Sequence, residues 1–571
     1  MPSGRAHGHP SRRAFLTGAA ATAGAVGLAA CAPWDTSAGP ASPSPGSSAP
    51  PRAVMSSDRQ GFNRRWFAPN LEAVFTPTPS DDVASTVGEA LATYGSGVKV
   101  TSGRHGYENF VYNDQTRAVI DLSALNRAGF DRDRNAFFVE AGCENWTAYR
   151  TLLNGYGRTL PAGSCYSVGA GGHISGGGYG LLSRLHGLTI DHLTAADVVT
   201  WDAATSRATL RHVSAGSTDA AERDLFWALT GAGGGNFGVI TRFYFADLPE
   251  APDRATLWTL AWDWADLDLR GFARLLAEYA DMVEGMPEGN FSLLKLNHVA
   301  SGQLGMTMQL TSPAGTSLGE HVGAAEGAVE HARMRFAQVA RSVPLVRPLA
   351  GHPAFMSTAP TSQSAQHLTY LEALQTLNGS GPNQFGKYKS AYMAKPFPPE
   401  QVEAIFDALH QVPDGLTPLD MTQSLLQVDS YGGAVNRRAP DATAVPQRSS
   451  LLKLQYQTYW NNDSEPGRAS ELPYRQQSEA HLAWINDFYR AVYADCGGTP
   501  DPARDPSGTV QGCYVNYPDC DLGTHETGDA EHALWLYFLD NLRNNARNLV
   551  GVKQRWDPTN VFRNAQSIPV E

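Results

Sequence analysis

Cysteine, charged residues and long apolar runs are all scarce in this chain of 571 residues. Six cysteines are too few for disulfide bonds to carry the fold of a protein of this size. Past the N-terminus no run of about eighteen apolar residues occurs, which excludes an internal membrane span. The formal net charge of −12 argues against a nucleic-acid partner. With 42% hydrophobic and 18% charged residues, the composition is that of a globular protein.

The sequence also lacks the motifs of common nucleotide-binding and nucleophile sites. It contains no GxxxxGK(S/T) phosphate-binding loop and no GxSxG nucleophile motif. One GxGxxG match, at 233–238, follows the helix-like run LFWALTG and precedes the strand-like run VITRFYF. A dinucleotide-binding fold needs a strand before the glycines and a helix after them, so this match does not predict such a fold.

The stretch Pro161–Gly180 is dense in glycine, with eight glycines and one cysteine, Cys165. Glycine costs conformational entropy on folding, so such a run marks either a flexible linker or a backbone that approaches something flat. A flexible linker is normally polar, whereas Val168, Ile174 and Tyr179 are interleaved here. The pattern favours a packed backbone that lies against a bound cofactor.

A second stretch, Val98–Asn109, is a β-rich run that ends in a turn carrying His105, 60 residues before Cys165. Further motifs follow in order along the chain: KYKSAYM (387–393), SYGGAVN (430–436), YVNYPD (514–519) and WDPTNVF (556–562). Together these motifs resemble the berberine bridge enzyme family, within the vanillyl-alcohol-oxidase-like flavoproteins. The resemblance spans roughly residue 63 to the C-terminus.

The resemblance implies FAD held by two covalent bonds, one from His105 and one from Cys165. One departure is Arg104, which stands where the family usually has glycine. The resemblance also implies cofactor contacts from both loops, from a later strand and from the C-terminal segment: Ser102, Gly103, Arg104, Gly106, Val168, Gly169, Ala170, Gly172, His173, Gly178, Gly238, Val239 and Asn516. His173 is expected to order the flavin pocket, or else to be a satisfied buried histidine. The small Ala170 is expected to admit oxygen to the flavin, which favours an oxidase.

Tyrosines are the candidate proton acceptors for such an enzyme. Tyr517 and Tyr514 lie in the family's catalytic-tyrosine motif, and Tyr517 is the favoured base, with Asp519 or water as the next acceptor. A tyrosine has an ordinary pKa of about 10, so its surroundings must lower the pKa or relay the proton. Tyr179 and Tyr431 match further active-site tyrosines. The alternative for all four tyrosines is simple packing in the core.

Gln455 matches a glutamate that acts as base in the alkaloid-cyclising member of the family. Because glutamine cannot take up a proton, ring closure by that route is disfavoured, and Gln455 is expected to hydrogen-bond the substrate or the base.

The expected fold is α+β, with a two-lobed FAD-binding domain of the vanillyl-alcohol-oxidase type and an α+β substrate domain with a largely antiparallel sheet. The first lobe alternates strands and helices, and the second begins at the Gly-rich stretch. We place the FAD-binding domain at 63–248, the substrate domain at 249–505 and a C-terminal return at 506–571, which includes a long helix to Leu549.

The N-terminus reads as a targeting segment. Within 1–31, the run SRRAFL resembles a twin-arginine export signal, and LAAC resembles a lipobox that ends at Cys31. Either Cys31 is lipidated or the signal is cleaved nearby and Cys31 is lost. Residues 32–62 read as a disordered Ser/Pro-rich linker. The protein is therefore expected outside the cell or anchored to the outer face of its membrane.

The cysteines at 143, 496, 513 and 520 remain. Cys496 could pair with Cys513 or Cys520, which spacing alone does not decide, and Cys143 could equally be a buried free thiol.

The main hypothesis is an exported FAD oxidase that converts an alcohol or sugar hemiacetal to a ketone or lactone and reduces O2 to H2O2. Its substrate would be a glycosylated or polyketide natural product or an oligosaccharide. Two alternatives stay open: oxidative cyclisation or desaturation in the same fold, and a non-catalytic surface lipoprotein.

Overall fold

The computed structural model describes residues 47–345, 365–378, 383–460 and 474–571. The predicted export signal and lipidation site lie outside these residues, as does part of the Ser/Pro-rich linker. Among the helices that the structure describes, none has the length and the apolarity needed to cross a membrane.

Within the described residues, the strands form three sheets. Their bounds are β1 Ala73–Phe75, β2 Val98–Thr101, β3 Ala118–Asp121, β4 Ala128–Asp131, β5 Ala136–Glu140, β6 Ala195–Asp202, β7 Arg207–Ser214, β8 Val239–Phe245, β9 Arg254–Asp263, β10 Asn290–Asn297, β11 Gln303–Thr311, β12 Gln366–Thr369, β13 Phe385–Met393, β14 Leu425–Ser430 and β15 Leu452–Trp460.

The α-helices lie between these strands and after them. Their bounds are α1 Val83–Tyr94, α2 Asn145–Tyr156, α3 Ala170–Ser175, α4 Ser183–His186, α5 Ala220–Leu229, α6 Leu269–Gly285, α7 Leu318–Ala337, α8 Tyr370–Thr376, α9 Pro399–His410, α10 Tyr474–Val492, α11 Ala530–Phe538 and α12 Leu549–Trp556.

The first lobe is a small parallel sheet of order β1-β3-β2. Its helix α1 begins where the Asp82 side chain accepts a hydrogen bond from Ser85 N, and it ends at Gly95, whose φ is 53°. Asp is a preferred N-cap residue, and glycine tolerates positive φ without strain. Helix α1 and strand β2 occur where the alternation of helices and strands predicted them, strand β1 was not predicted, and β2 delivers the loop that carries His105.

The second lobe is an antiparallel sheet of order β4-β5-β8-β6-β7. It therefore begins at β4, before the Gly-rich stretch at which the sequence predicted its start. The Gly-rich stretch contributes the short helix α3, and the GGGNFG run joins helix α5 to strand β8, as its sequence context predicted. This run therefore follows a helix and precedes a strand, the reverse of a dinucleotide-binding motif.

The seven-stranded antiparallel sheet has the order β12-β9-β11-β10-β14-β15-β13. The predicted strands of this region are all present, and α9 packs against both α6 and α10. The edge strand β12 and helix α8 were not predicted from the sequence. An α+β fold with a largely antiparallel sheet is confirmed.

The C-terminal segment differs from the predicted long helix to Leu549. Helix α11 ends at Phe538, and Leu539 takes a positive φ of 46°, which breaks the helix. A new helix, α12, begins after Asn548, whose side chain accepts from Gly551 N. The segment returns to the first part of the chain, where Ile568 N donates to Asn236 Oδ1 at 2.9 Å.

The chain from Pro45 to Glu571 forms one compact unit, so the division at residues 248 and 505 stays a prediction. All five cysteines in the described residues are free, so neither Cys513 nor Cys520 pairs with Cys496. Cys143 is a buried free thiol.

Candidate active site

A cavity of about 420 Å³ lies where the two Gly-rich loops meet the seven-stranded sheet and the C-terminal segment. Both His105 and Cys165 line it, from opposite ends of a 60-residue stretch of chain. The sheet contributes strands β10, β13, β14 and β15 to the opposite wall. The cavity is therefore the place where most motifs of the sequence converge, whereas the SYGGAVN motif (430–436) contributes no lining residue.

The loops that carry His105 and Cys165 pack backbone against backbone. A Cβ atom at Gly103 would lie 2.2 Å from Gly169 N, and one at Gly169 would lie 2.0 Å from Ser102 Oγ. Only glycine fits at either position, because real Cβ atoms do not approach other atoms so closely. His105 Nε2 also lies 2.8 Å from the Ser167 hydroxyl oxygen, which ties the two loops together at the cavity.

Arg104 occupies a left-handed backbone conformation, with φ of 61°. Such a conformation favours glycine, which explains why glycine is usual there in the family. The Arg104 guanidinium pairs with Asp121 at 2.6 Å and Asp58 at 3.3 Å. Arg104 therefore lines the cavity, and the carboxylates of Asp121 and Asp58 already balance its positive charge.

The Cys165 loop is held by side chains behind it. Asn145 Nδ2 donates to the Cys165 carbonyl at 3.1 Å, and His173 Nε2 accepts from Gly163 N at 2.9 Å. Burial lowers the pKa of His173 to about 4, so its ring is neutral at neutral pH and can accept this bond. His173 thus orders the Cys165 loop through a backbone hydrogen bond.

The two candidate attachment residues are both desolvated. Burial lowers the pKa of His105 to about 4, so it is neutral at neutral pH. Burial raises the pKa of Cys165 to about 11, and the charge of Lys295 acts in the opposite direction. Both side chains line the cavity as neutral groups: the neutral His105 ring already has a nucleophilic nitrogen, and the Cys165 thiol becomes a nucleophile when it loses its proton.

Most of the predicted cofactor contacts line the cavity: Ser102, Gly103, Arg104, His105, Gly106, Cys165, Val168, Gly169, Gly172, His173, Gly238, Val239 and Asn516. Ala170 and Gly178 do not. Ala170 is buried at the start of α3, and its N–H donates to Cys143 O at 2.8 Å. Gly178 has a φ of 70° and packs on the side chain of Thr189. The geometry therefore lends no support to a route for oxygen past Ala170.

The lining fits a long, flat cofactor such as FAD. Glycines from three separate segments form much of the wall, including Gly171, where a Cβ atom would lie 3.0 Å from Ala141 O. A wall of bare backbone lets a planar ring system approach closely and offers N–H groups to phosphate oxygens. His105 and Cys165 add two nucleophilic side chains to this wall.

Three of the four candidate tyrosines, Tyr514, Tyr517 and Tyr179, line the cavity. The rings of Tyr514 and Tyr517 meet edge to face, with centroids 5.0 Å apart. Tyr431 is fully buried behind Tyr179, and its hydroxyl donates to Gln447 O at 3.2 Å. Tyr431 therefore lies behind the cavity wall and does not line the cavity.

The ammonium of Lys453, which sequence reasoning missed, lies among the active-site tyrosines. Its Nζ is 4.0 Å from the ring centroid of Tyr517, 4.6 Å from that of Tyr179 and 5.1 Å from that of Tyr514. Asp429 lies 3.5 Å from the same nitrogen. Burial lowers the pKa of Lys453 to about 8 and raises that of Asp429, while each charge favours the other.

Asp519, the predicted next proton acceptor, is already engaged. Its carboxylate lies 2.6 Å from both Lys387 Nζ and Lys389 Nζ, and no hydrogen bond joins it to Tyr517 in the described part of the chain. Asp429 lines the cavity instead. Asp429, unlike Asp519, therefore lies in the cavity wall with the tyrosines and Lys453.

Two glutamines extend this polar wall. Gln455 Nε2 donates to the Tyr107 hydroxyl at 3.4 Å, and Gln427 Nε2 donates to Asp429 Oδ1 at 2.8 Å. Gln427 Oε1 is buried without a hydrogen-bond partner among the described residues. A buried acceptor without a partner is costly, so a donor group of a ligand fits there.

The fold and the cavity define an FAD-linked oxidoreductase. A family model described as "FAD binding domain" matches residues 71–209, and one described as "Berberine and berberine like" matches residues 513–569. The chain belongs to the berberine bridge enzyme-like family of FAD-linked oxidases. The recognition made from its motifs is confirmed.

Close relatives cover nearly the whole chain. Hexose oxidase of Chondrus crispus is 38% identical and is matched over 91% of this chain and 94% of its own length. Aclacinomycin-N/aclacinomycin-A oxidase of Streptomyces galilaeus is 32% identical over 98% of each chain. The crystal structure of CrmK, a flavoenzyme of caerulomycin biosynthesis, is 33% identical with a TM-score of 0.75, over 90% of this chain and 97% of its own.

Proposed function

We propose that this protein is an oxidase that holds FAD covalently through His105 and Cys165 and oxidises a sugar hemiacetal to a lactone. The second product is H2O2, formed from O2. The observation that carries the proposal is the meeting of His105, Cys165 and a tyrosine–lysine cluster at one cavity. Bound FAD would accept a hydride, which is two electrons and one proton, from the substrate carbon and would pass the two electrons on to O2, which takes up two protons to give H2O2.

Tyr517 would take the substrate's hydroxyl proton. Burial raises the pKa of Tyr517 well above its ordinary value, which disfavours a phenolate. The Lys453 ammonium 4.0 Å from the ring acts in the opposite direction, because a positive charge stabilises developing negative charge in a dry site. Asp429, 3.5 Å from Lys453, balances this charge when the phenol is neutral.

A polyhydroxylated substrate suits the sheet wall. Gln427 Oε1 would accept a hydrogen bond from a substrate hydroxyl, which would satisfy a buried acceptor. Gln455 cannot serve as a base, so it supports binding and argues against ring closure. The name of one relative, hexose oxidase, points to a sugar as substrate, and the name of the other, aclacinomycin oxidase, points to a natural product.

The proposed domain division assigns residues 63–248 to FAD binding, 249–505 to the substrate and 506–571 to the return segment. We also propose export by the twin-arginine route, with a lipid anchor at Cys31 as an option. Two covalent bonds suit an exported enzyme, since a lost cofactor could not be replaced outside the cell.

The experiment is anaerobic reduction of the bound flavin by a panel of free hexoses, oligosaccharides and glycosylated polyketides. The expected substrate bleaches the flavin, then consumes O2 with one H2O2 formed per lactone or ketone. A product that has gained a ring or a carbon–carbon double bond would favour cyclisation or desaturation instead. A Tyr517→Phe variant should bind the same sugar and reduce its flavin about 10²–10⁴-fold more slowly.

A further inference from the structure

Five charged side chains form a buried cluster beside the cavity, which we call the charge cluster: Glu108, Lys387, Lys389, Asp519 and Asp521. Lys387 Nζ lies 2.6 Å from the carboxylates of Glu108 and Asp519 and 3.1 Å from that of Asp521. Lys389 Nζ lies 2.6 Å from Asp519 and 3.3 Å from Asp521. Only Asp521, with 37% of its side chain exposed, reaches solvent to any extent.

The charge cluster joins three distant parts of the chain, and each part carries one tyrosine of a stack. The Tyr107 and Tyr388 rings stack with centroids 3.6 Å apart, and the Tyr107 and Tyr517 rings with centroids 5.5 Å apart. The cluster's glutamate directly follows Tyr107, its lysines flank Tyr388 on β13, and its first aspartate is two residues past Tyr517. Each stacked ring thus has a charged anchor next to it along the chain.

Stability alone does not account for this arrangement. Burying ions costs desolvation energy that their mutual attraction barely offsets, and apolar side chains of similar size often stabilise a fold as well or better. The Tyr517 hydroxyl makes no hydrogen bond within the part of the chain that the structure describes, so its ring is oriented by stacking and by its backbone. The position of the phenol therefore depends on how firmly its segment is held.

We propose that the charge cluster positions Tyr517 and the His105 loop, so that the two keep a fixed arrangement relative to each other across the cavity. Its members act through the residues beside them, so they are positioning residues. The inference rests on the proposed function, because it assigns the cluster to the proton acceptor and to one of the two attachment points of that enzyme.

The arrangement predicts that loss of the charge cluster affects the two attachment residues, His105 and Cys165, differently. The charge cluster holds the loop of His105 through Glu108, which lies three residues further along the chain. The Cys165 loop contacts the His105 loop, but it also has two anchors of its own, Asn145 and His173, that do not involve the charge cluster. Loss of the cluster should therefore disturb attachment at His105 and leave attachment at Cys165 intact, which general destabilisation would not do.

The test compares Glu108→Gln and Asp521→Asn with Asp191→Asn as the matched control. Asp191 pairs with Arg448 at 2.8 Å in an equally buried site that shares no residue with the charge cluster. Its loss should therefore lower stability without moving Tyr517 relative to the His105 loop. Each protein is purified as the full chain with FAD. Proteolysis and mass spectrometry give the flavin-linked fraction of the His105 and Cys165 peptides, and stopped-flow gives the rate of flavin reduction by saturating sugar.

The expected result for Glu108→Gln is a several-fold loss of flavin on the His105 peptide with no change on the Cys165 peptide. Flavin reduction at saturating substrate should slow by about 10–100-fold, as expected for a misplaced reacting group, with little change in KM. Asp521→Asn should show the same pattern in weaker form, and it keeps the cluster testable if Glu108→Gln does not fold. Asp191→Asn should lower thermal stability only.

Equal losses on both peptides, or the same pattern in Asp191→Asn, would overturn the proposal, as would wild-type values in both cluster variants. If the wild-type protein carries flavin on neither peptide, the covalent attachment in the proposed function fails. The rates of flavin reduction in the variants then decide the positioning role on their own.

Discussion

Replacing Lys453 by methionine removes the ammonium among the active-site tyrosines and keeps much of the side chain's length. Lys453 Nζ lies 4.0 Å from the Tyr517 ring centroid, and the lysine side chain is fully buried. At that separation and an effective dielectric constant of about 20, two unit charges interact by about 4 kcal/mol. Each 1.4 kcal/mol or so is a factor of ten in rate, so flavin reduction should slow by about 10²–10³-fold.

The assay is anaerobic stopped-flow reduction of the flavin by saturating substrate, measured over a range of pH below the lowered pKa of Lys453 of about 8, where its ammonium is present. If Tyr517 must lose a proton for the reaction, the rate rises with pH, and loss of the nearby positive charge moves that rise to higher pH. The Tyr517→Phe variant and the double variant complete a double-mutant cycle. Once the phenol is gone, Lys453→Met should cause almost no further loss in the rate of flavin reduction.

Two results would refute this reasoning. A Lys453→Met enzyme with the wild-type rate and pH profile would show that the ammonium does not act on the proton acceptor. Fully additive losses in the double variant would show that Lys453 acts on something other than Tyr517, such as the substrate itself.

Three further predictions concern the loops, acid stability and export. Gly103→Ala should cost about 1–3 kcal/mol or more of stability, because its Cβ atom would lie 2.2 Å from a backbone nitrogen, whereas Gly155→Ala, in helix α2 with nothing within 4 Å, should leave the melting temperature unchanged or raise it slightly. The buried histidines whose pKa is lowered from 6.5 to about 4 bind fewer protons folded than unfolded, so the melting temperature should fall as pH drops through that window. Replacing Arg12 and Arg13 by lysine should trap the protein inside the cell, and Cys31→Ala should release it from the membrane fraction if it is lipidated.

The strands of the substrate domain could be predicted because apolar residues alternate along them. The same alternation places Lys453 and Gln455 on one face of β15, and Gln427 and Asp429 on one face of β14. The sequence pattern of a polar strand face is the same whether the face meets water or lines a cavity. Lys453 and Asp429 were missed for that reason. Only the pairing of β14 with β15 brings these faces together.

The candidate site, too, could be predicted only in part. His105 and Cys165 could be predicted because each belongs to a dense local motif, and the structure brings both to one cavity. Tyr431 and Ala170 also belong to such motifs, yet both are turned into the core. Which side of a turn faces the cavity depends on contacts with distant segments, and a single sequence does not encode these in any local pattern.

The covalent attachment of FAD is tested most directly by mass spectrometry of flavin peptides from the purified wild-type protein. After acid precipitation and proteolysis, flavin should stay in the protein fraction and co-migrate with two peptides, one containing His105 and one containing Cys165. Free FAD in the supernatant, with both peptides unmodified, would contradict the account.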